Sequence, residues 1–239
     1  MPDTDPHAPA ARARNPLPVA AVCGAELIIP RLRGVSHAVA FGVAVIAAVV
    51  IVIVAPAGWA TVAVAIYGAG LAALFGGSAL YHRWPGPTRF KPALQRLDRS
   101  TIFVFIAASY TPIALVVLHG PLALVLLGVA WAGAAGGVAF STGWVNAPAP
   151  ARAGCYLALG WLSVIALPQL VRELSVAPLV LLGVGGALYT AGAVVYARQR
   201  PNPWPRTFGF HEIFHALVIA AAAAQYTAVI GWMLPAARV

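Results

Sequence analysis

The chain has 239 residues, of which 61% are hydrophobic and only 9% charged, with a mean hydropathy of +0.86. A soluble domain carries about 25% charged residues, so this composition excludes an ordinary soluble protein and indicates one built in a bilayer. The net charge of +9 does not point to nucleic acid, because the basic residues sit in short loops between apolar runs, which is a topology signal.

Residues 1–33 are polar and rich in Ala, Pro and Arg. They lack the charged start, apolar centre and small-residue cleavage site of a signal peptide, and read as a partly disordered cytoplasmic tail. Within it, Val19–Ile29 is too short to span a bilayer and suits the interface. A crossing helix needs about 20 apolar residues. Seven stretches of 34–239 qualify, near 34–54, 58–80, 101–118, 121–140, 154–171, 177–196 and 211–233. The gaps carry turn formers, "APAG", "HGP", "NAPAP" and "RPNPWP". The expected fold is an all-α, seven-transmembrane helix bundle. Cys23 and Cys155 lie far apart without a C-x-x-C partner, so neither a disulfide framework nor a thiolate metal site is expected.

The basic residues orient the bundle. Arg12, Arg14, Arg31 and Arg33 precede span 1. Arg83, Arg89, Lys91, Arg96 and Arg99 lie between spans 2 and 3. Arg152 lies between spans 4 and 5, and Arg198, Arg200 and Arg206 between spans 6 and 7. With seven spans, 13 of the 15 fall on one side, leaving only Arg172 and Arg238 on the other. The positive-inside rule then puts the N-terminus in the cytoplasm and the C-terminus outside. Tyr81, Trp84, Trp144 and Trp232 near span ends read as interfacial anchors.

Ionisable groups inside a membrane are costly, and each is a functional candidate. "SALYH" (Ser78–His82) lies at the cytoplasmic end of span 2. "LQRLDRS" (Leu94–Ser100) leads into span 3 and places Asp98 at its cytoplasmic start. "FGFHEIFHALV" opens span 7, with His211 and His215 four residues apart on one helical face. His82, His211, His215 and Asp98 therefore share one depth. Three neutral imidazoles with an open position form a catalytic zinc sphere. Asp98 is placed to take a proton from water, and Ser78, one turn deeper, to hydrogen-bond a substrate carbonyl or oxyanion.

Blander readings compete. Ser78 has its own helix to bond to, Arg96 and Arg99 read as topology charges with one available to hold Asp98, and His119 reads as a solvated loop residue. His37, at the cytoplasmic start of span 1, reads as an interhelical hydrogen-bonder or as a neighbour of the zinc ligands. His211-Glu212-Ile213-Phe214-His215 also fits H-E-x-x-H, whose glutamate is a general base in zinc proteases. Glu212 lies about 80° from the midline of the histidine pair and stays a minor candidate base.

"SALYH", the aspartate of "RLDRS", "SYTPIAL" (Ser109–Leu115) and "FGFHEIFH" together resemble the hemolysin III family, the bacterial branch of the progestin and adipoQ receptor superfamily. The resemblance covers nearly the whole chain after about residue 24, with the elements in the family's order. It implies a seven-helix bundle in the bacterial inner (cytoplasmic) membrane. It also implies a zinc held by His82, His211 and His215, with Asp98 and Ser78 close by through water. Receptor members of that superfamily and the related alkaline ceramidases are associated with hydrolysis of lipid amides. By analogy, membrane lipids are the expected partners and a ceramide-like amide or an ester the expected substrate. The alternatives are a receptor or scaffold with a structural zinc, and a cytolysin as the family name suggests. Intramembrane metalloproteases add a late L-D-G aspartate after their histidines, whereas here Asp98 comes long before them in L-D-R.

Overall fold

The structure, a computed structural model, describes residues 30–236. The expected interfacial segment Val19–Ile29, most of the tail and Arg238 lie outside the described residues. Hydrocarbon offers backbone groups no water, so a spanning segment must satisfy its own N–H and C=O groups as a helix. Seven helices here are long and apolar enough to cross: Val35–Val54, Trp59–Arg83, Thr88–Val117, Pro121–Gly143, Ala149–Glu173, Val176–Arg198 and Phe210–Ala236, spans 1 to 7 below. Among the described residues there is no β-strand.

Span 3 departs most from its predicted bounds. Its α-helix begins at Lys91, after one 3₁₀ turn over Thr88–Phe90, well before the apolar run. The extension is polar, and its side chains are satisfied at the end of span 2: Lys91 Nζ donates to the Tyr81 carbonyl (2.8 Å) and Gln95 Nε2 to the Tyr81 hydroxyl (3.1 Å). Asp98 is thus two turns inside a helix rather than at its start. At the far end Pro112 lacks a backbone donor for the ladder, and the following residues, Ile113–Val117, form π-helix. Span 5 is likewise broken by a 3₁₀ stretch, Trp161–Ala166.

Consecutive spans pack on one another around the bundle, span 7 returns to span 1, and span 3 also touches span 5. Small residues set the closest approaches. A methyl group at Gly68 would meet Ala48 of span 1 at 2.8 Å, and one at Gly70 would meet Ala108 of span 3 at 2.6 Å, which is the small-residue packing expected where lipid supplies no hydrophobic drive between helices. In their apolar stretches, 67% of span 3, 56% of span 2 and 39% of span 7 is buried, against 28% or less elsewhere. The three most enclosed spans are therefore the three that carry the candidate residues.

Candidate metal centre

Span 2 continues as unbroken α-helix to Arg83, so Ser78 and His82 stand one turn apart on it. Span 7 begins at Phe210, and two side chains define that start. Glu212 Oε2 accepts the Gly209 N–H (2.8 Å), a capping interaction, and Asn202 Oδ1 accepts the Phe210 N–H (3.0 Å). His211 and His215 consequently occupy the first two turns, facing the end of span 2.

One nitrogen from each of His82, His211 and His215 can be chosen so that all lie within 4.8 Å of one another. His82 Nε2 and His211 Nε2 are 3.0 Å apart, and the His211 and His215 ring centroids 4.5 Å. Zinc bonds to imidazole at about 2.0–2.1 Å, so tetrahedral ligands lie about 3.3–3.4 Å apart, a spacing that the His82–His211 nitrogen pair approaches. His215 is 1% exposed and its Nδ1 has no hydrogen-bond partner among the described residues. The donor set fits a borderline cation such as zinc, and the three residues could hold a metal ion.

Asp98 is not part of that group of three. It is half-buried on span 3, and its carboxyl interacts with the side chain of Ser78, itself buried. Thr101 Oγ1 donates to the Asp98 carbonyl (2.8 Å). Ser78 therefore engages its neighbour on span 3. Arg99 donates to the Val145 carbonyl and also lies within electrostatic reach of Asp98. The imidazole group and the Ser78–Asp98 pair share span 2, one turn apart, and remain separate sets of donors.

Glu212 has both oxygens engaged elsewhere. Oε1 accepts from Arg33 Nε at 2.6 Å, while Oε2 caps the helix. Arg33 belongs to the last four residues of the expected tail, and these are knitted into the bundle. Pro30 is buried, Arg31 N–H donates to the Arg206 carbonyl (3.0 Å) and Leu32 N–H to that of Thr207 (3.3 Å). Gly34 follows at φ 76°, and a methyl group there would collide with His82 Cβ. Only glycine accepts both that dihedral and that approach, so the turn lies directly on a candidate ligand. From the sequence Arg33 reads only as a topology charge, and Gly34 has no assigned role. The faint signal was an acidic residue inside a span with no basic partner on its own helix.

His37 is 3% exposed and stacks face to face on His215, with ring centroids 3.6 Å apart and planes at 8°. Neither of its ring nitrogens has a well-formed hydrogen bond. It is a neighbour of the cluster, and its ring also lies against the His215 backbone of span 7. His119 is far from the cluster and largely exposed, with Glu173 Oε2 at 3.9 Å. Cys155 is free and exposed.

The family model described as Haemolysin-III related matches residues 26–226, which contain every one of these groups. The chain belongs to that family. This haemolysin-III-related chain is 33% identical over 178 residues to Hemolysin-3 of Bacillus cereus, covering 74% of this chain and 78% of the relative. It is 34% identical over 172 residues to the Hemolysin-3 homolog of Bacillus subtilis, covering 72% and 78%. It is 29% identical over 175 residues to the human Monocyte to macrophage differentiation factor, covering 72% and 70%, so the likeness extends beyond bacteria. With seven apolar helices, membership makes this an integral membrane protein.

Proposed function

We propose that this haemolysin-III-related protein is a zinc-dependent hydrolase that cuts an amide or ester bond of a membrane lipid in the cytoplasmic leaflet of a bacterial inner membrane. The observation that carries the reading is a group of three imidazoles with a separate Ser78–Asp98 pair one turn away. A structural site is normally closed by four protein ligands, whereas a catalytic one keeps a position open. No carboxylate joins the three histidines among the described residues.

His82, His211 and His215 would hold the metal. Zinc there would supply a Lewis acid and lower the pKa of water towards about 7. Asp98 would receive a proton from water and later return it to the leaving amine or alcohol. Ser78 orients that carboxylate or hydrogen-bonds the scissile carbonyl. Glu212 is not assigned the base role, because Arg33 and the Gly209 N–H occupy its oxygens. The relatives' name suggests cytolysis, but a chain of seven apolar spans is poorly suited to the water-soluble phase a secreted pore-former needs.

Metal content and turnover of a fluorescent ceramide are the test, measured on purified protein. His211→Ala/His215→Ala should lose the zinc. Asp98→Asn should keep it while turnover drops by about 10²- to 10⁴-fold, the usual worth of a general base. Loss of zinc and fold together in Asp98→Asn would identify a fourth structural ligand and favour a scaffold. Full activity in Asp98→Asn would remove Asp98 from the chemistry.

A further inference from the structure

We propose that His37 is a positioning residue for the metal centre: the face of its imidazole, stacked on His215, sets the plane in which His215 presents its ligand nitrogen. The proposal rests on the metal-binding reading above and adds a residue from a fourth helix to it.

The need arises at His215. The terminal torsion of a histidine is broad, with no sharp rotamer to fix the ring. A metal-ligating histidine is ordinarily oriented by a hydrogen bond from its other ring nitrogen to a carboxylate, carbonyl or water. With Nε2 as its ligand atom, His215 has no such partner at Nδ1 among the described residues, although the side chain is buried. Something else must hold the ring. The contact that can do so is the stack on His37, at 3.6 Å between centroids and 8° between planes. The other neighbours meet His215 at steep angles, His82 at 59°, His211 at 63° and Phe214 at 53°. Of these ring contacts, His37 alone defines a plane.

His37 is itself held. Phe75 of span 2 packs edge-on against it, at 5.0 Å and 65°. Its ring also interacts with the His215 backbone, although without good hydrogen-bond geometry. Four residues earlier, Arg33 bonds Glu212, three residues before His215. The start of span 1 thus meets the start of span 7 in two rungs, Arg33 on Glu212 and His37 on His215. The ion pair sets how span 1 docks on the ligand helix, and the stack transmits that docking to the ligand ring. Such supporting contacts are worth about 10- to 100-fold in metal affinity.

The test uses the full-length protein in nanodiscs with His37→Ala and His37→Phe, the second restoring a planar face without ring nitrogens. Zinc affinity is read by chelator competition, ligand geometry by the visible spectrum of the Co²⁺-substituted protein, and the stack by the ring-proton shifts of His215 in metal-free protein carrying labelled histidine. His37→Ala should weaken zinc about 10- to 100-fold, alter the Co²⁺ spectrum and abolish the upfield ring-current shift of His215. His37→Phe should return all three towards wild type. Wild-type affinity in His37→Ala, or a phenylalanine variant as impaired as the alanine one, overturns the proposal. If alanine prevents folding, His37→Leu fills the space without a planar face and takes its place. A wild-type protein that binds neither zinc nor Co²⁺ removes the metal reading, and the metal-free shifts then decide whether His37 holds His215.

Discussion

Glu212 illustrates how a residue inside a familiar motif acquires a different task from its surroundings. Its side chain is 3% exposed and ends on Arg33 Nε and the Gly209 N–H. Glu212→Gln keeps an acceptor for the cap but leaves the guanidinium without its counter-charge. An unmatched buried polar group costs about 1–3 kcal/mol, and Arg33, at 22% exposure, regains part of that from water. Thermal unfolding should register a loss near the lower end of this range. The Arg33→Met/Glu212→Gln double variant should be no less stable than the worse single one, because the two residues serve one pair. Lipid-amide turnover per folded molecule should fall far less than in Asp98→Asn, because Glu212 acts on the site only through the docking of span 1. A fall as deep as that of Asp98→Asn would return the base role to Glu212 and the motif to its protease meaning.

At the scale of elements, the site is assembled by close helix contacts built on glycine. Gly70 holds span 2 against Ala108 of span 3, so it fixes the distance between the helix bearing Ser78 and His82 and the helix bearing Asp98. Gly70→Val should pry these helices apart. The cost should fall in the overpacking range of about 1–3 kcal/mol, with ceramide turnover lost more completely than zinc. Equal loss of both, or of neither, would show that the span 2–span 3 spacing does not tune the Ser78–Asp98 pair. Gly34 acts at the other face of the cluster. Gly34→Ala asks a non-glycine residue to hold φ 76°, at about 1–2 kcal/mol, and drives a methyl group into His82. Zinc competition should report weaker binding for this variant, and unchanged affinity would mean that the turn does not press on the ligand.

At the scale of the whole molecule, orientation and metal both bear on stability. The distribution of basic residues predicts a cytoplasmic N-terminus and an external C-terminus. Reporter fusions at the two ends should give opposite readings, and like readings would defeat the seven-span topology. The three histidines come from spans 2 and 7, which are far apart in sequence, so a bound ion would cross-link the bundle. A ligand at 100 times its dissociation constant adds about 2.7 kcal/mol to the folded state. Chelation should therefore lower the unfolding temperature of the wild type and leave that of His211→Ala/His215→Ala unmoved.

The sequence by itself determined the seven spans and the common depth of His82, His211 and His215. Hydrocarbon thickness sets how many apolar residues a crossing needs, and a constant helical rise converts residue number into depth. The i, i+4 spacing further placed His211 with His215, and Ser78 with His82, on shared faces. Only the tertiary structure decided which neighbours those faces meet. Lipid-facing and core-facing side chains are equally apolar, so hydropathy does not record how a span is rotated about its axis or which span lies beside it. For that reason the Arg33–Glu212 pair, the Gly34 turn against His82 and the stack of His37 on His215 became legible only once span 1 had been packed against spans 2 and 7.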